Sequence, residues 1–420
     1  MNKFVYSLVS LLILSASMIF TSCSDDDDDD NRITVNFKAS SILADGITLN
    51  QLEGMEAVFT EIRSMNSTSC TLNNQGEGSV RLHKGTYNVS VEHAMKNQNN
   101  EEVVVFARVE NLSINANGQT VTSTIKSRPK AAVGQNFIFS EVFFNGETNS
   151  GRMMHPDQYF VVFNPTTKTL YADGLCIGNT QHQSRSDKAM WFDEFYNDNR
   201  VPVCGFVTIP GEGQDYPVAP GEKIVIAFTA IDHSSVEGYD NAVNLEGADF
   251  EIFQGADKKD VDNPDVANML LTENVDSWGF FMHPRGYAAP LMFKLENGLP
   301  ETIEAFYKAN VKRTKDLIPA DEEAGTPEQI VEKDFFSVET SMIIDGVQTG
   351  DVPNDIKTRV IPETVDRGKF LVNGCHRQEL AIRKAIQSDN QTFYQDTNDS
   401  SADFIMQKGQ NSFPKGWRNK

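Results

Sequence analysis

Short runs in which apolar and polar residues alternate fill the chain from Arg32 to about Lys126. Ile33-Val35-Phe37 is one such run and Val103 to Val109 is another, with glycine and asparagine between the runs. An apolar residue at every second position places one face of a strand in a core and the other in water. Residues 32–126 are therefore predicted to form one β domain.

The segment LNNQGEGSVRLHKGTYNVSVEH (72–93) is the most informative part of that domain. A Gly-rich turn, a strand, a tight turn at Lys84-Gly85 and a Tyr-x-Val-x-Val strand predict a β-hairpin. This pattern resembles the prealbumin-like sandwiches of the carboxypeptidase-regulatory and collagen-adhesin type, in which "G…L..G.Y.V.V" marks adjoining strands. The resemblance implies a spacer or stalk and no catalytic role.

A polar segment with a proline, SRPKAAV (127–133), is predicted to link this domain to a second one over residues 134–420. Four segments of the second domain follow in order: EVFFNG with DQYFVVFNPTTKTLYADGLCI, VAPGEKIVIAFTAIDH (218–233), NAVNLEGADFEIF (241–253) and the tail 383–414. Together they resemble lamin-tail domains, which implies an immunoglobulin-like β-sandwich. The order of all parts resembles an uncharacterised family of Bacteroidota lipoproteins, which supplies no activity.

One helix is expected among the insertions of the second domain. In ETIEAFYKANVKR (301–313), Ile303, Phe306, Tyr307 and Val311 share one face of a helix. We interpret this helix as a cover on the sandwich edge. The predicted fold class is thus mostly all-β: a prealbumin-like sandwich, then a lamin-tail-like sandwich with insertions and a short helix.

The N-terminus has the pattern of an export signal. Lys3 precedes an apolar run from Phe4 to Phe20, and Thr21-Ser22-Cys23 follow. A charged start, an apolar stretch and small residues before a cysteine indicate a signal peptide over residues 1–22. The end of this run resembles the bacterial lipobox, although Phe20 stands where leucine is usual, and the resemblance implies lipidation of Cys23. The alternative is an ordinary secretory signal with a chance cysteine.

An acidic tether over residues 23–31 follows the cysteine. Six adjacent carboxylates, Asp25 to Asp30, repel one another and are expected to stay solvated. CSDDDDDD resembles the signal that sends Bacteroidota lipoproteins to the cell surface, which implies an export role for Ser24, Asp25, Asp26, Asp27 and Asp28. We therefore expect an outer-membrane lipoprotein that faces the extracellular side. The alternatives are a plain spacer and a periplasm-facing anchor.

Charge and cysteine content narrow the function classes. The formal net charge of −22 argues against binding to nucleic acid or to an anionic bilayer by charge. Besides Cys23 the chain has four cysteines, which leaves free thiols and disulfides both open; they are Cys70, Cys176, Cys204 and Cys375.

Motifs for catalysis are missing from the sequence. It contains no G-x-S-x-G, H-E-x-x-H or P-loop pattern. Cys375 and His376 are sequence neighbours, whose side chains point to opposite faces of a strand, so they are poorly placed as a dyad. We therefore predict a non-enzymatic accessory protein that captures a ligand or docks on an outer-membrane partner. A structural adhesin or spacer is the alternative, and a hydrolase on a β scaffold ranks lowest.

Two weak metal patterns remain. Alternating oxygen ligands suited to calcium occur at Asp396, Asn398, Asp399 and Asp403, and Asp260, Asp262, Asn263 and Asp265 form a second cluster. The alternative for both is capped turns, in which Asp and Asn side chains accept from nearby backbone amides. The tripeptide Met-His-Pro occurs twice, and Met154, His155, Met282 and His283 would together suit copper(I), or haem with Trp278, Phe280 and Phe281 stacking nearby. The alternative is core methionines beside turn prolines.

Overall fold

A computed structural model describes residues 31–419 with several gaps. The gaps are residues 45, 131–132, 147–156, 182, 185–192, 239–240, 259, 273–278, 319–324 and 389–390. Within the described part of the chain, no helix is both long enough and apolar enough to cross a bilayer. Strands dominate, which confirms the predicted mostly-β fold class.

The N-terminal domain is a sandwich of seven strands. They are β1 (Ile33–Leu43), β2 (Glu56–Glu61), β3 (Ser67–Thr71), β4 (Glu77–Leu82), β5 (Gly85–Lys96), β6 (Glu102–Ile114) and β7 (Gln119–Pro129). Their order is β3-β2-β5-β6-β7-β1-β4. β7 pairs with β1 in parallel along residues 119–125 and then with β6 in antiparallel along residues 126–129. It therefore passes from one layer of the sandwich to the other.

The core of this domain contains every second residue of these strands. In β5, Tyr87, Val89 and Val91 are buried while their neighbours are not, as the alternation predicts. They pack between the two layers with Phe37 of β1 and Phe59 of β2. All members of this cluster lie between Ile33 and Ile125, so the N-terminal domain has a core of its own.

The described part of the C-terminal domain contains twenty strands. They are β8 (Ile138–Phe143), β9 (Tyr159–Phe163), β10 (Leu170–Tyr171), β11 (Leu175–Thr180), β12 (Arg200–Thr208), β13 (Pro217–Val218), β14 (Lys223–Ala227), β15 (Phe250–Glu251), β16 (Ala267–Asn268), β17 (Leu270–Leu271), β18 (Pro290–Lys294), β19 (Val311–Ile318), β20 (Gln329–Glu339), β21 (Ile343–Gly346), β22 (Thr349–Asp351), β23 (Phe370–Val372), β24 (Glu379–Arg383), β25 (Ala385–Ser388), β26 (Gln391–Tyr394) and β27 (Phe404–Lys408). Three short helices accompany them: α1 (Asp193–Asn197), α2 (Pro300–Ala309) and α3 (Ser400–Asp403).

Two seven-stranded sheets face each other in this domain. The first has the order β16-β15-β14-β9-β8-β24-β27, and the second has the order β19-β20-β12-β11-β18-β21 with β17 beside β12. A core between them joins residues of both sheets, such as Phe160 and Ile177. Further apolar clusters cover the outer face of each sheet, including Tyr159 on the first and Phe293 on the second. Because both faces are covered, central strands such as β9 are apolar throughout rather than alternating.

The predicted hairpin over residues 72–93 is wrong, although its two strands exist. β4 pairs with β1, while β5 pairs with β2 and β6, so β4 and β5 lie in different layers. Lys84-Gly85 is the corner at which the chain crosses between layers. A short turn between two alternating strands fits either arrangement, and long-range pairing with β1 decides which one forms.

The predicted linker and the predicted helix also differ from the structure at their ends. β7 continues to Pro129, so the first three residues of the expected 127–133 linker are strand residues paired with β6. α2 ends at Ala309, and Val311 already belongs to β19. Val311 fits the helical spacing although it is a strand residue, because it packs against the same apolar cluster as Phe306 and Tyr307.

Candidate functional site

Helix α2 lies over the outer face of the second sheet of the C-terminal domain. Pro300 occupies its first turn, where no backbone N–H donor is needed. The ring of Phe306 lies 5.6 Å from that of Phe293 and 6.2 Å from that of Phe206. Tyr307 stacks on Phe336 at 5.3 Å. The helix is thereby fixed to the sheet by aromatic contacts.

A groove of about 660 Å³ runs beside this helix, and we call it the α2 groove. It lies between α2, strand β17 and the start of β19. Its lining is mainly apolar and consists of Leu270, Leu271, Thr272, Pro300, Ile303, Glu304, Tyr307, Lys308 and Val311. Leu271 stays 39% exposed there, which is unusual for a leucine in this well-packed domain. The groove is therefore a concave surface that presents apolar side chains to solvent.

Polar groups of the groove are already oriented by neighbours. Glu304 and Lys308 form an ion pair one helical turn apart, and the hydrogen bond from Lys308 lowers the pKa of Glu304. The Thr272 hydroxyl donates to the carbonyl oxygen of Phe206 at 2.8 Å and accepts from its N–H at 3.0 Å. The groove thus combines an apolar wall with one positive and one negative group, and it holds no arrangement of nucleophile and base.

The second Met-His-Pro element lies in the segment between β17 and β18. Met282 is 1% exposed, and its side chain belongs to the core between the sheets. The His283 ring lies 4.5 Å from that of Tyr287, and its Nδ1 accepts from the N–H of Arg285 at 3.1 Å. The buried position of Met282 supports the interpretation of a core methionine.

The first Met-His-Pro element, with Met154 and His155, lies outside the described residues, as does Trp278. Its neighbours in sequence nevertheless contact the second element. The Asn145 side chain donates to the carbonyl oxygen of Pro284 at 2.6 Å. Gln158 donates to the carbonyl oxygen of Met282 at 2.8 Å and accepts from its N–H at 3.1 Å. A shared copper or haem site at these two elements stays a prediction.

The first calcium pattern surrounds a buried arginine. Asp396 and Asp403 form ion pairs with Arg383 at 3.1 and 3.3 Å. Asp399 caps α3, since its carboxylate accepts from the N–H groups of Ser401 and Ala402. Asn398 has a left-handed backbone with φ of 53°. These contacts support capped turns around an arginine, while calcium binding stays a prediction.

The second acidic cluster also contacts nearby backbone and side-chain groups. Asp260 is buried and accepts from the Gln254 N–H at 2.9 Å and the Thr229 hydroxyl at 2.7 Å. The Asn263 side chain accepts from the Asp265 N–H at 3.1 Å, and Asp262 accepts from Asn268 at 2.9 Å. Within the described part of the chain, no group of three or more His, Cys, Asp or Glu residues is arranged to hold a metal ion.

The remaining candidate residues are cysteines and the lipoprotein signal. Burial raises the pKa of the Cys375 thiol, which keeps it protonated at neutral pH, and His376 Nδ1 contacts the carbonyl oxygen of Gly146 at 3.0 Å. Among the described residues, Cys70, Cys176, Cys204 and Cys375 form no disulfide. Cys23, Ser24 and the acidic run Asp25 to Asp30 lie outside the described residues.

Sequence reasoning missed most of the α2 groove. The helical spacing found Ile303 and Tyr307, and it assigned them to a cover. Leu270, Leu271 and Thr272 are a short run about 30 positions away, and no local pattern connects them to the helix. Only the pairing of β17 with β12 brings the two segments together.

Comparisons with known proteins found one family model that matches part of the chain. Residues 219–411 match the family described as "Protein of unknown function (DUF4876)". No curated protein matched the chain. These findings agree with the resemblance to an uncharacterised family.

One solved structure matches most of the chain, and a second matches a smaller part of it. A DUF4876 family protein from Bacteroides thetaiotaomicron is 18% identical, with 92% of this chain and 97% of that chain covered and a TM-score of 0.53. A DUF3823 family protein from Parabacteroides merdae is 14% identical over 36% of this chain and 67% of that chain, with a TM-score of 0.15. The chain therefore has the fold of the DUF4876 family protein from Bacteroides thetaiotaomicron.

Proposed function

We propose that this protein is a cell-surface lipoprotein that captures a small amphipathic ligand in the α2 groove. The observation that carries the proposal is the groove itself, a solvent-open concavity of about 660 Å³ with apolar walls. Small-molecule sites typically have volumes of roughly 300–1,000 Å³, apolar linings and a few placed polar groups. The α2 groove meets all three criteria.

The groove suggests the chemistry of its ligand. An apolar body of one or two rings would contact Leu271, Ile303 and Val311 and would remove their exposed surface from water. A polar end would lie near Glu304 and Lys308, which offer one acceptor and one donor. A ligand with both parts fits better than a purely apolar one, because the ion pair would otherwise lose hydration.

The rest of the chain would hold the α2 groove at the cell surface. Lipid on Cys23 would hold the protein in the outer membrane, with the acidic run directing it to the outer face. Nine residues, 24–32, separate Cys23 from Ile33 of β1 and span at most about 30 Å when extended. The N-terminal sandwich, of prealbumin-like type, would act as a spacer beneath a lamin-tail-like domain that carries the groove.

The probe 1-anilinonaphthalene-8-sulfonate tests the groove, because it has apolar rings and one charged group. We expect saturable binding to the purified protein, measured by fluorescence titration. Leu271→Glu should weaken this binding at least tenfold, because it places a carboxylate on the apolar wall. Ile330→Glu is the matched control, since Ile330 is 58% exposed and does not line the groove.

Equal binding by both variants would contradict capture in the groove. Such a result would favour the adhesin or spacer function, in which the domains only present a surface. Circular dichroism of each variant should match the parent protein, because both substitutions change side chains that are already more than a third exposed.

A further inference from the structure

One loop of the C-terminal domain contacts the outward face of the N-terminal sheet. The loop is NPTTKT (164–169), between β9 and β10. The contacted side chains come from three adjacent strands and point away from the N-terminal core: Glu92 of β5, Arg108 and Glu110 of β6, and Arg128 of β7. Charged residues at alternating outward positions of a sheet usually face water. Here Arg128 is buried and Arg108 is partly buried at the contact with the second domain, while Glu92 and Glu110 stay exposed beside it.

Arg128 lies at the centre of this contact and is 2% exposed. Its Nη1 donates to the carbonyl oxygens of Thr166 at 2.6 Å and Pro165 at 3.3 Å. Its guanidinium lies between two rings, 4.6 Å from Phe106 of the N-terminal domain and 4.4 Å from Phe393 of the C-terminal domain. One side chain therefore donates hydrogen bonds to the C-terminal domain and contacts a ring of each domain.

Two further strands contribute to the same loop contact. Arg108 Nε donates to the carbonyl oxygen of Thr167 at 2.6 Å. The Thr169 hydroxyl donates to Glu110 at 3.0 Å, and the Thr167 hydroxyl donates to Glu92. The loop residues Pro165 to Thr169 are thus bound by all three adjacent strands of the N-terminal sheet.

The loop itself is held in shape by Asn164. Its side-chain amide donates to the carbonyl oxygens of Lys168 and Val218, both at 2.8 Å. Its Oδ1 accepts from the N–H of Thr166 at 2.9 Å. A preformed loop loses little conformational freedom when it binds, so these contacts resist rotation between the domains.

We propose that Arg128 locks the two domains into a single rigid body. A buried arginine is favourable only where its donors and its charge find partners. The carbonyl oxygens that accept from Arg128 belong to the C-terminal domain, and Glu92, whose charge favours the protonated guanidinium, belongs to the N-terminal domain. Burial lowers the pKa of Arg128 to about 10, which leaves it charged at neutral pH. The lock fixes the orientation of the C-terminal domain relative to β1, the strand nearest the tether. This proposal does not depend on what the α2 groove binds.

Hydrogen–deuterium exchange on the chain from residue 24 onward, with Cys23 and the leader removed, tests the lock. In Arg128→Met we expect amides of residues 166–169 to exchange at least tenfold faster, while the cores of both domains keep their protection. Small-angle X-ray scattering should show a larger and broader distribution of radii of gyration. Lys126→Met is the matched control, because Lys126 is exposed on the same face of the same strand.

The proposal is overturned if Arg128→Met and Lys126→Met give the same loop exchange and scattering. Should Arg128→Met fail to fold, Arg108→Met provides the same test, since Arg108 is only partly buried and binds the adjacent carbonyl oxygen. Unchanged exchange of residues 166–169 in that variant would equally refute a lock at this loop.

Discussion

Arg383 is a buried charge that the C-terminal domain surrounds with acceptors. It is 3% exposed, lies 3.0 Å from both carboxylate oxygens of Asp345 and is paired with Asp396 and Asp403. Its Nε also donates to the carbonyl oxygen of Phe139 at 2.6 Å. A buried guanidinium needs this many acceptors, because its desolvation is otherwise strongly unfavourable. Two of the predicted calcium ligands thereby stabilise the fold.

His233 makes the stability of the protein depend on pH. The ring is 2% exposed, its Nε2 lies 2.9 Å from the carbonyl oxygen of Thr229, and burial lowers its pKa to about 4. The unfolded chain takes up this proton near pH 6.5, whereas the folded state resists it. The contribution is therefore complete above pH 6.5 and is lost as the pH falls towards 4. It amounts to about 3 kcal/mol over that window.

Urea unfolding of the parent protein and of His233→Gln at pH 7, 5.5 and 4.5 measures this contribution. The difference in free energy of unfolding between the two proteins should shrink or reverse as the pH falls, because glutamine does not titrate. His83→Gln is the control, since His83 is exposed. Parallel pH profiles for the parent and His233→Gln would refute the assignment.

Single charged residues were the hardest positions to predict from sequence. Arg128 lies in an alternating strand, at a position that the alternation assigns to the solvent-facing side. Arg383 follows the apolar run Leu380 to Ile382 of β24. Nothing local distinguishes either from a surface arginine. Arg128 is buried against carbonyl oxygens that lie more than 30 positions away in the sequence. Arg383 is buried against carbonyl and carboxylate oxygens that lie up to 244 positions away.

Strands were predicted well where one face is buried and less well where both are. Alternation located β5, because the outward side of that strand is polar. In β6 the outward residues Val104 and Phe106 are apolar and buried as well, so alternation describes only part of that strand. Apolar runs such as Tyr159 to Phe163 indicated strands without showing which residues face which core. Pairing was predicted least well: the expected hairpin partner of β5 is a strand of the other layer, since turn chemistry does not report long-range partners.

The acidic segment after Cys23 gives a prediction at the scale of one element. Replacing Asp25 to Asp30 with alanine should retain the lipid but hide the protein from protease added to intact cells. Cys23→Ala should instead release or mislocalise it, because the thiol that carries the lipid is missing. The measurement is protease shaving of whole cells followed by blotting. If added protease cleaves the variant without the acidic run as fast as the parent protein on intact cells, the segment is a spacer and not a surface-export signal.

The two domains have separate apolar cores and a polar joint between them. All residues of the N-terminal core belong to the N-terminal domain, and the C-terminal cores contain only residues from Phe137 onward. The contacts between domains involve backbone carbonyls, carboxylates and arginines, with Phe106 and Phe393 as the rings around Arg128. Each domain should therefore fold alone, while their relative orientation depends on the polar joint.

The boundary of the N-terminal domain gives the last prediction. β7 pairs with β6 through Val103–Pro129, Val104–Arg128, Val105–Ser127 and Phe106–Lys126. A fragment 31–129 keeps all four pairs and the complete core, so we expect cooperative urea unfolding with a free energy of about 5–15 kcal/mol. A fragment that ends at the sequence-derived boundary, residue 126, loses three of the four pairs that connect the two layers. It should be less stable by about 2–3 kcal/mol, at about 1 kcal/mol for each backbone hydrogen bond. Equal stability of the two fragments would show that the layers are held together by the core alone.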